Sequence, residues 1–261
     1  MAESSETSLA APQSLDDQHE AAAQRADLAA LRAALAAVTH RRASSFELPR
    51  LLDQLQSATE TGDVAVLCAA LAAGAATVVD SWRTGLSSKS ALGRVVETKQ
   101  GVDISVGRRT ACVRALLLAG ASASAPVLGS NGSHIALHDA AYLGLSTVCR
   151  LLLDAGANVD AGVKVLSNMS MNDTPLHYAA NREHQKVIAL FLSRGAVDGP
   201  DVDRLERSSY LQKIRAAGGF SKYERQHRAM LVASYTPKFS HLLPPELVSV
   251  VISFWAHVGF Y

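Results

Sequence analysis

Cysteine is scarce in this chain of 261 residues, which contains only Cys68, Cys112 and Cys149. Their number is odd, their positions are scattered, and none of them shares a metal-ligand spacing with a histidine. Neither a disulfide framework nor a structural metal site is therefore expected. We interpret the three cysteines, each in a predicted second helix of a repeating pair, as buried free thiols. Such thiols are typical of a reducing compartment, so the sequence predicts a cytoplasmic or nuclear protein.

Aromatic residues, excess charge and long apolar runs are also scarce. Aromatics make up 5% of the chain although 48% is hydrophobic, so the apolar mass is mainly alanine, leucine and valine. The net charge of +1 gives no general reason to expect nucleic acid or a membrane as partner. The longest apolar run, residues 247–255, is far below the roughly 20 residues of a membrane helix. Residues 1–7 lack the pattern of a signal peptide.

Motifs for catalysis and cofactor binding are absent from the sequence. It contains no glycine-rich phosphate loop, no G-x-S-x-G, no H-E-x-x-H and no C-x-x-C. The sequence therefore predicts that the protein is not an enzyme, and that it has no cofactor, no metal site and no small-molecule substrate.

The sequence does contain a block that occurs twice, over residues 135–156 and 174–195. The second copy opens with Thr-Pro-Leu-His and the first with Ile-Ala-Leu-His, and both end in glycine. The leucine and the final glycine are 19 steps apart in each copy (156 − 137 and 195 − 176). Thr174 is a good N-cap, and Pro175 suits the first turn of a helix. Each block therefore predicts a pair of short helices, which must stack on neighbouring pairs to bury its apolar face.

These blocks resemble the ankyrin repeat, whose signature is T-P-L-H-x-A and whose period is about 33 residues. The resemblance implies an all-α ankyrin-repeat solenoid of about four or five helix-loop-helix repeats with enlarged hairpin loops. It also implies that His138 and His177 brace turns through hydrogen bonds and are neither ligands nor catalysts. The chain departs from the family at Glu183, where glycine is usual. If that site is left-handed, glutamate costs on the order of 1 kcal/mol there.

Weaker copies of the pattern divide the rest of the chain. We expect repeats at about 49–80, 88–121, 134–160 and 172–198, followed by a degenerate repeat or cap over 199–239. The second helix of this last unit is expected near residues 221–233. Its basic residues suggest either a solvated capping face or, as an alternative, a patch for nucleic acid or an acidic partner.

The N-terminal part differs from the repeats in composition. Residues 1–16 are polar and are expected to be disordered. Residues 17–43 are rich in alanine and leucine, and Leu28, Leu31, Leu35 and Val38 fall on one face of a helix. We interpret this helix as a cap on the first repeat, the alternative being a helix that binds a partner or forms a coiled coil.

Three enlarged loops interrupt the pattern. The insert at 99–108 alternates apolar and polar residues near 101–107, which predicts a small hairpin, and its role is either binding or that of a plain surface loop. The loop at 122–133 contains Asn131-Gly132, a strong turn signal. The loop at 161–173 carries apolar residues that either meet a partner or fold back on the stack.

The C-terminal segment, 240–261, begins a new helix after Leu243-Pro244-Pro245-Glu246-Leu247. It resembles the opening helix of an F-box (L-P-x-E-L) and the truncated segment that ends poxvirus ankyrin proteins. A SOCS box fits less well. The resemblance implies docking on a ubiquitin-ligase subunit through Leu247, Val250, Val251 and Phe254. The alternative is a helix that only packs on the last repeat.

The predicted function is therefore recognition of another protein. By resemblance to ankyrin repeats, the binding surface is the concave face, with Tyr142, Leu143, Asn181 and Arg182 exposed and the two loops beside them. Aromatic and arginine side chains usually anchor interfaces, so Tyr142 and Arg182 are the first choices. The full set of predicted partner-binding residues is Tyr142, Leu143, Asn181, Arg182, Val165 and Met169. The alternative function is that of a substrate-recognition adaptor of a ubiquitin ligase.

Overall fold

The computed structural model describes residues 25, 28–36, 47–75, 90–97, 104–129, 132–163, 173–196, 208–239 and 242–257. The expected disordered tail and Val38 of the N-terminal helix lie outside these residues. The first half contains α1 (28–36), α2 (Leu48–Thr61), α3 (Val64–Ala72), α4 (Ala91–Val96), α5 (Val106–Leu118), β1 (Pro126–Gly129) and β2 (Gly132–Ile135). The second half contains α6 (Ala136–Tyr142), α7 (Ser146–Asp154), α8 (Pro175–Asn181), α9 (Gln185–Ser193), α10 (Ser209–Ala216), α11 (Phe220–Phe239) and α12 (Pro245–His257).

The helices stack in two layers. The first-helix layer consists of α2, α4, α6 and α8, each of which contacts the next. In the second-helix layer, α3, α5, α7, α9 and α11 likewise contact one another in order. Because each pair contacts mainly its neighbours, the architecture is that of a solenoid.

One buried leucine in each first helix, and one in α10, sets the register of the stack. Five leucines take this position and all are fully buried: Leu55, Leu92, Leu137, Leu176 and Leu211. Burying a leucine side chain stabilises a fold by about 1.5–3 kcal/mol. At the N-terminal end, Leu28 and Leu31 of α1 join the same core, which favours the capping interpretation of that helix.

The three cysteines lie in second helices, as predicted: Cys68 in α3, Cys112 in α5 and Cys149 in α7. All three are free and buried. Burial, with the nearby Cys68 as a smaller cause, raises the pKa of the Cys112 thiol to about 12. Burial also raises the pKa of Cys149. Because the thiolate is the reactive form, both thiols are packing groups.

The predicted hairpin near 101–107 is wrong where the structure describes that segment. Val106 and Gly107 open α5, and Ser105 is its N-cap, since the Ser105 Oγ accepts from the Arg108 N–H at 3.3 Å. Ile104 is buried against the turn at Gly62. The alternation therefore reflects one buried residue and one capping residue ahead of a helix.

The strands β1 and β2 form a hairpin, and Gly132 of the predicted turn is the first residue of β2. The strands pair antiparallel from Pro126↔Ile135 to Gly129↔Gly132. Val127 is buried over Gly93 of α4, where an added Cβ would lie 2.6 Å from the valine Cγ2. Among the described residues, no helix is both long and apolar enough to cross a membrane.

Candidate partner-binding site

His138 braces the start of α6, the helix that carries Tyr142. Its ring is buried, and its Nδ1 accepts from the Ile135 N–H at 3.2 Å. The Nε2–H therefore donates to the Ala161 carbonyl at 2.9 Å, with the Asp173 carbonyl at 3.3 Å. Burial, and then the neighbouring His134, lower the pKa of His138, which favours the neutral ring that this pattern needs. The predicted role as a turn brace is confirmed.

His177 makes the equivalent contact one repeat later. Its Nδ1 accepts from the Thr174 N–H at 3.1 Å, and the Thr174 Oγ1 lies 2.9 Å from the same nitrogen. Thr174 is the N-cap of α8 and Pro175 is its first residue, as the sequence predicted. The two histidines thus fix the starts of α6 and α8, the helices whose ends carry the exposed side chains.

Tyr142 and Arg182 contact one another across these two helices. The guanidinium carbon of Arg182 lies 4.1 Å from the centroid of the Tyr142 ring, and its Nη2 donates to the Tyr142 hydroxyl. Tyr142 is 39% exposed, and Arg182 is also exposed. Stacking and the hydrogen bond fix both side chains before any partner arrives, which reduces the entropy lost on binding.

His184 ties this pair to the backbone. Its Nε2–H donates to the Tyr142 carbonyl at 3.0 Å. The ring lies against Gly144, where an added Cβ would be 2.7 Å from the His184 Nδ1. Burial, and then the positive charge of Arg182, lower the pKa of His184. The neutral ring therefore keeps the turn after α6 and the turn after α8 at a fixed separation.

Tyr178 is a member of the site that sequence reasoning missed. Its ring meets Tyr142 edge-on at 6.4 Å and His138 edge-on at 5.5 Å. The signal was available in the repeat register, because Tyr178 takes the place of Asp139, 39 residues earlier (178 − 139). That place adjoins Tyr142 on the neighbouring first helix, so the two tyrosines could have been paired.

The other predicted partner-binding residues differ in their placement. Asn181 is exposed at the end of α8, whereas Leu143 is half-buried and packs partly on the core. Val165 and Met169 lie outside the described residues. The structure thus brings together Tyr142 and Arg182, which the sequence had named as separate anchors.

Charge changes along the first-helix layer. The first two pairs carry Glu60 and Glu97, with Glu60 in an ion pair with Arg94 at 3.4 Å. The pairs at the other end carry Arg182 and Lys213. The tyrosine pair lies between these two sets of charged side chains.

The C-terminal helix α12 packs on α11 with one stripe and exposes another. Val248 and Ile252 are buried, at 2% and 5% exposure. Leu247, Val250 and Val251 are 48%, 62% and 48% exposed. The side chain of Phe254 is not among those that the structure describes. Three of the four predicted docking residues therefore face solvent, and the adjacent stripe makes the packing contact.

Comparison with known families gives one match. Residues 104–204 match the family model for ankyrin repeats, in three copies. No curated protein matches the chain. The fold is an all-α ankyrin-repeat solenoid, and ankyrin repeats are in general non-catalytic protein–protein interaction modules. The match ends before α10, so it does not extend to the F-box-like resemblance of α12.

Proposed function

We propose that the protein binds a partner protein through the first-helix layer, with Tyr142, Tyr178 and Arg182 at the centre of the contact. The observation that carries this proposal is the contact between Tyr142 and Arg182, two anchor-type side chains that are exposed and already held in place. Each helix pair is one repeat in this proposal, α1 is the N-terminal cap, and α10 with α11 is a degenerate fifth repeat.

The repeat register supports the choice of this layer. The residues that stand five after the buried leucine in successive repeats are Glu60, Glu97, Tyr142 and Asn181. By this proposal they form a row, so a partner segment lying along the layer meets side chains of several repeats at once. Asn181 and, by proposal, the loop containing Val165 and Met169 border the tyrosines. We further propose a cytoplasmic or nuclear location, which the three free buried thiols support.

The test is affinity purification from the native cell with Tyr142→Ala/Arg182→Ala against the unmodified chain. We expect at least one partner to be lost, since truncating a central anchor typically weakens binding by about 2 kcal/mol or more. The matched control is Arg114→Ala/Arg150→Ala, which removes exposed arginines from the second-helix layer. If both double variants keep the full partner set, the first-helix layer is not the binding surface.

A second function is favoured by the exposed stripe of α12. We propose as the alternative that the repeats hold a substrate while Leu247, Val250 and Val251 recruit a ubiquitin-ligase subunit. An apolar stripe at i, i+3 and i+4 is the pattern of a helix that docks in a groove. Since α12 is held on α11 by Val248 and Ile252, the outer stripe can be changed without removing that contact.

The experiment for this alternative replaces only the outer stripe, as Leu247→Ser/Val250→Ser/Val251→Ser. The adaptor role predicts loss of ligase subunits from the purified complex while other partners stay bound. A 1–239 truncation should give the same loss. An unchanged partner list for both forms leaves α12 as a packing helix only.

A further inference from the structure

Glu183 occupies a backbone position that glycine takes elsewhere in the chain. Seven residues after the buried leucine of α2, α6 and α10 stand Gly62, Gly144 and Gly218, with φ of 72°, 71° and 83°. Glu183 stands seven residues after Leu176 and has φ of 56°. Among the described residues it is the one non-glycine residue with a positive φ. A residue with a Cβ is strained in this conformation, so something must offset the strain.

The carboxylate of Glu183 reaches the start of α10, 25 residues further along the chain. Its Oε1 accepts from the Ser209 N–H at 2.7 Å. Its Oε2 accepts from the Ser208 hydroxyl at 3.3 Å and from the Ser209 hydroxyl at 3.4 Å. The Ser208 Oγ in turn accepts from the Leu211 N–H at 3.4 Å as the N-cap of α10. Glu183 therefore completes the cap of a helix that belongs to the next pair.

Electrostatics favours the same arrangement. The N-terminus of a helix carries partial positive charge and is stabilised by a nearby anion. The first turn of α10 has no acidic residue of its own. A hydrogen bond to an ionised carboxylate is also stronger than a hydrogen bond between two neutral groups. Glu183 supplies from α8–α9 the negative charge that α10 lacks.

We propose that Glu183 is a latch that fixes the C-terminal helices α10–α12 to the fourth helix pair. The latch acts at α10, which joins the core of the stack through Tyr210, Leu211 and Ile214. Because no residue of α11 is buried, the bonds made by α10 are important for holding the C-terminal helices on the stack. Releasing the latch lets α10–α12 open while α6–α9 stay folded.

The first test is hydrogen exchange, measured by mass spectrometry on the full chain with Glu183→Gly. This variant relieves the backbone strain, so a purely local view predicts slower exchange or no change. The latch predicts exchange about tenfold faster in α10 and α11, with α6 and α7 unchanged, since three bonds to a charged group outweigh the strain. Unchanged or slower exchange in α10 overturns the proposal.

The second test uses the sign of a charge effect at Ser209, whose side chain is exposed. An acid in the first turn of a helix is normally stabilising. With Glu183 present, Ser209→Asp places two carboxylates together, and exchange in α10 should accelerate. In the Glu183→Gly background the same change should slow it, and Ser209→Ala serves as the uncharged control. The same sign in both backgrounds would show that Glu183 does not act on this helix.

Discussion

The central helices α6–α9 and the C-terminal helices α10–α12 are held together by different means. The central pairs bury apolar residues on every helix, among them Val148 and Leu152 of α7 and Ile188 and Phe191 of α9. Of the C-terminal helices, α10 buries three residues, α11 has no buried residue, and α12 buries two aliphatic side chains and exposes three. Stability in this solenoid is therefore expected to decrease toward the C-terminal end.

The turns after α6 and α8 also differ between the central and the C-terminal parts of the chain, although both contain a residue with positive φ. Gly144 follows α6 and Glu183 follows α8, both with positive φ. Glycine at the first turn lets the His184 ring approach closely and bond to Tyr142. Glutamate at the second turn has a strained backbone conformation, and its carboxylate accepts a hydrogen bond from the start of α10. One backbone position thus serves close packing in the central pairs and a long-range polar bond at the end.

Gly144→Ala, in the central pairs, should reduce stability more than any other single change proposed here. The new Cβ would lie 2.7 Å from His184 Nδ1, so the ring must leave Tyr142 in addition to the cost of the left-handed backbone. We expect the free energy of unfolding to fall by about 2–3 kcal/mol, measured by urea denaturation. Gly156→Ala is the control, since φ is 87° and no atom lies near its Cβ, and it should cost about 1 kcal/mol. Equal losses would mean that the His184 contact contributes nothing.

The two stripes of α12 should differ in their effect on stability. Ile252→Ala removes buried apolar contact with α11. It should lower the free energy of opening of α11 and α12 by about 2 kcal/mol. Val250→Ala, on the exposed stripe, should stay within about 0.5 kcal/mol. Native-state hydrogen exchange of the two variants measures both. Equal effects of the two substitutions would show that the stripe containing Ile252 does not make the packing contact.

The smallest expected effect is a pH dependence of the central pairs. Burial lowers the pKa of His138 and of His184 in the folded chain, so the unfolded chain binds more protons. Their contribution is complete above the ordinary histidine pKa of about 6.5 and is lost as the pH falls below it toward the folded values. Thermal unfolding from pH 7.5 to 5 should show the decrease. His138→Asn should be less stable at pH 7.5 and should depend less on pH, and an equal slope in both forms would assign the effect to other groups.

Local patterns predicted the parts of the fold that local interactions form. Thr174 and Pro175 start α8, and each cysteine lies in a second helix. These outcomes depend on neighbours a few residues away, which a sequence displays directly. The segment at 101–107 was misread because alternation of apolar and polar residues does not distinguish a strand from a buried residue beside an N-cap.

The candidate site was predicted only as separate residues. Tyr142 and Arg182 were chosen singly for their residue types, and Tyr178 was not chosen at all. Their contact depends on how α6 stacks against α8, a separation of 40 residues. The two copies of the repeat can be aligned in sequence. The alignment does not give the distance between side chains of the two helices.

The spacing of residues in the chain was enough to predict the repeat, the leucine of each pair and the start of α8. The bracing histidines, and the question of a left-handed residue at Glu183, came from the resemblance to ankyrin repeats. The bonds of Glu183, the buried stripe of α12 and the contact between Tyr142 and Arg182 could not be read from the sequence. Each of them depends on the distance between side chains of different helices, and the stacking of those helices sets that distance.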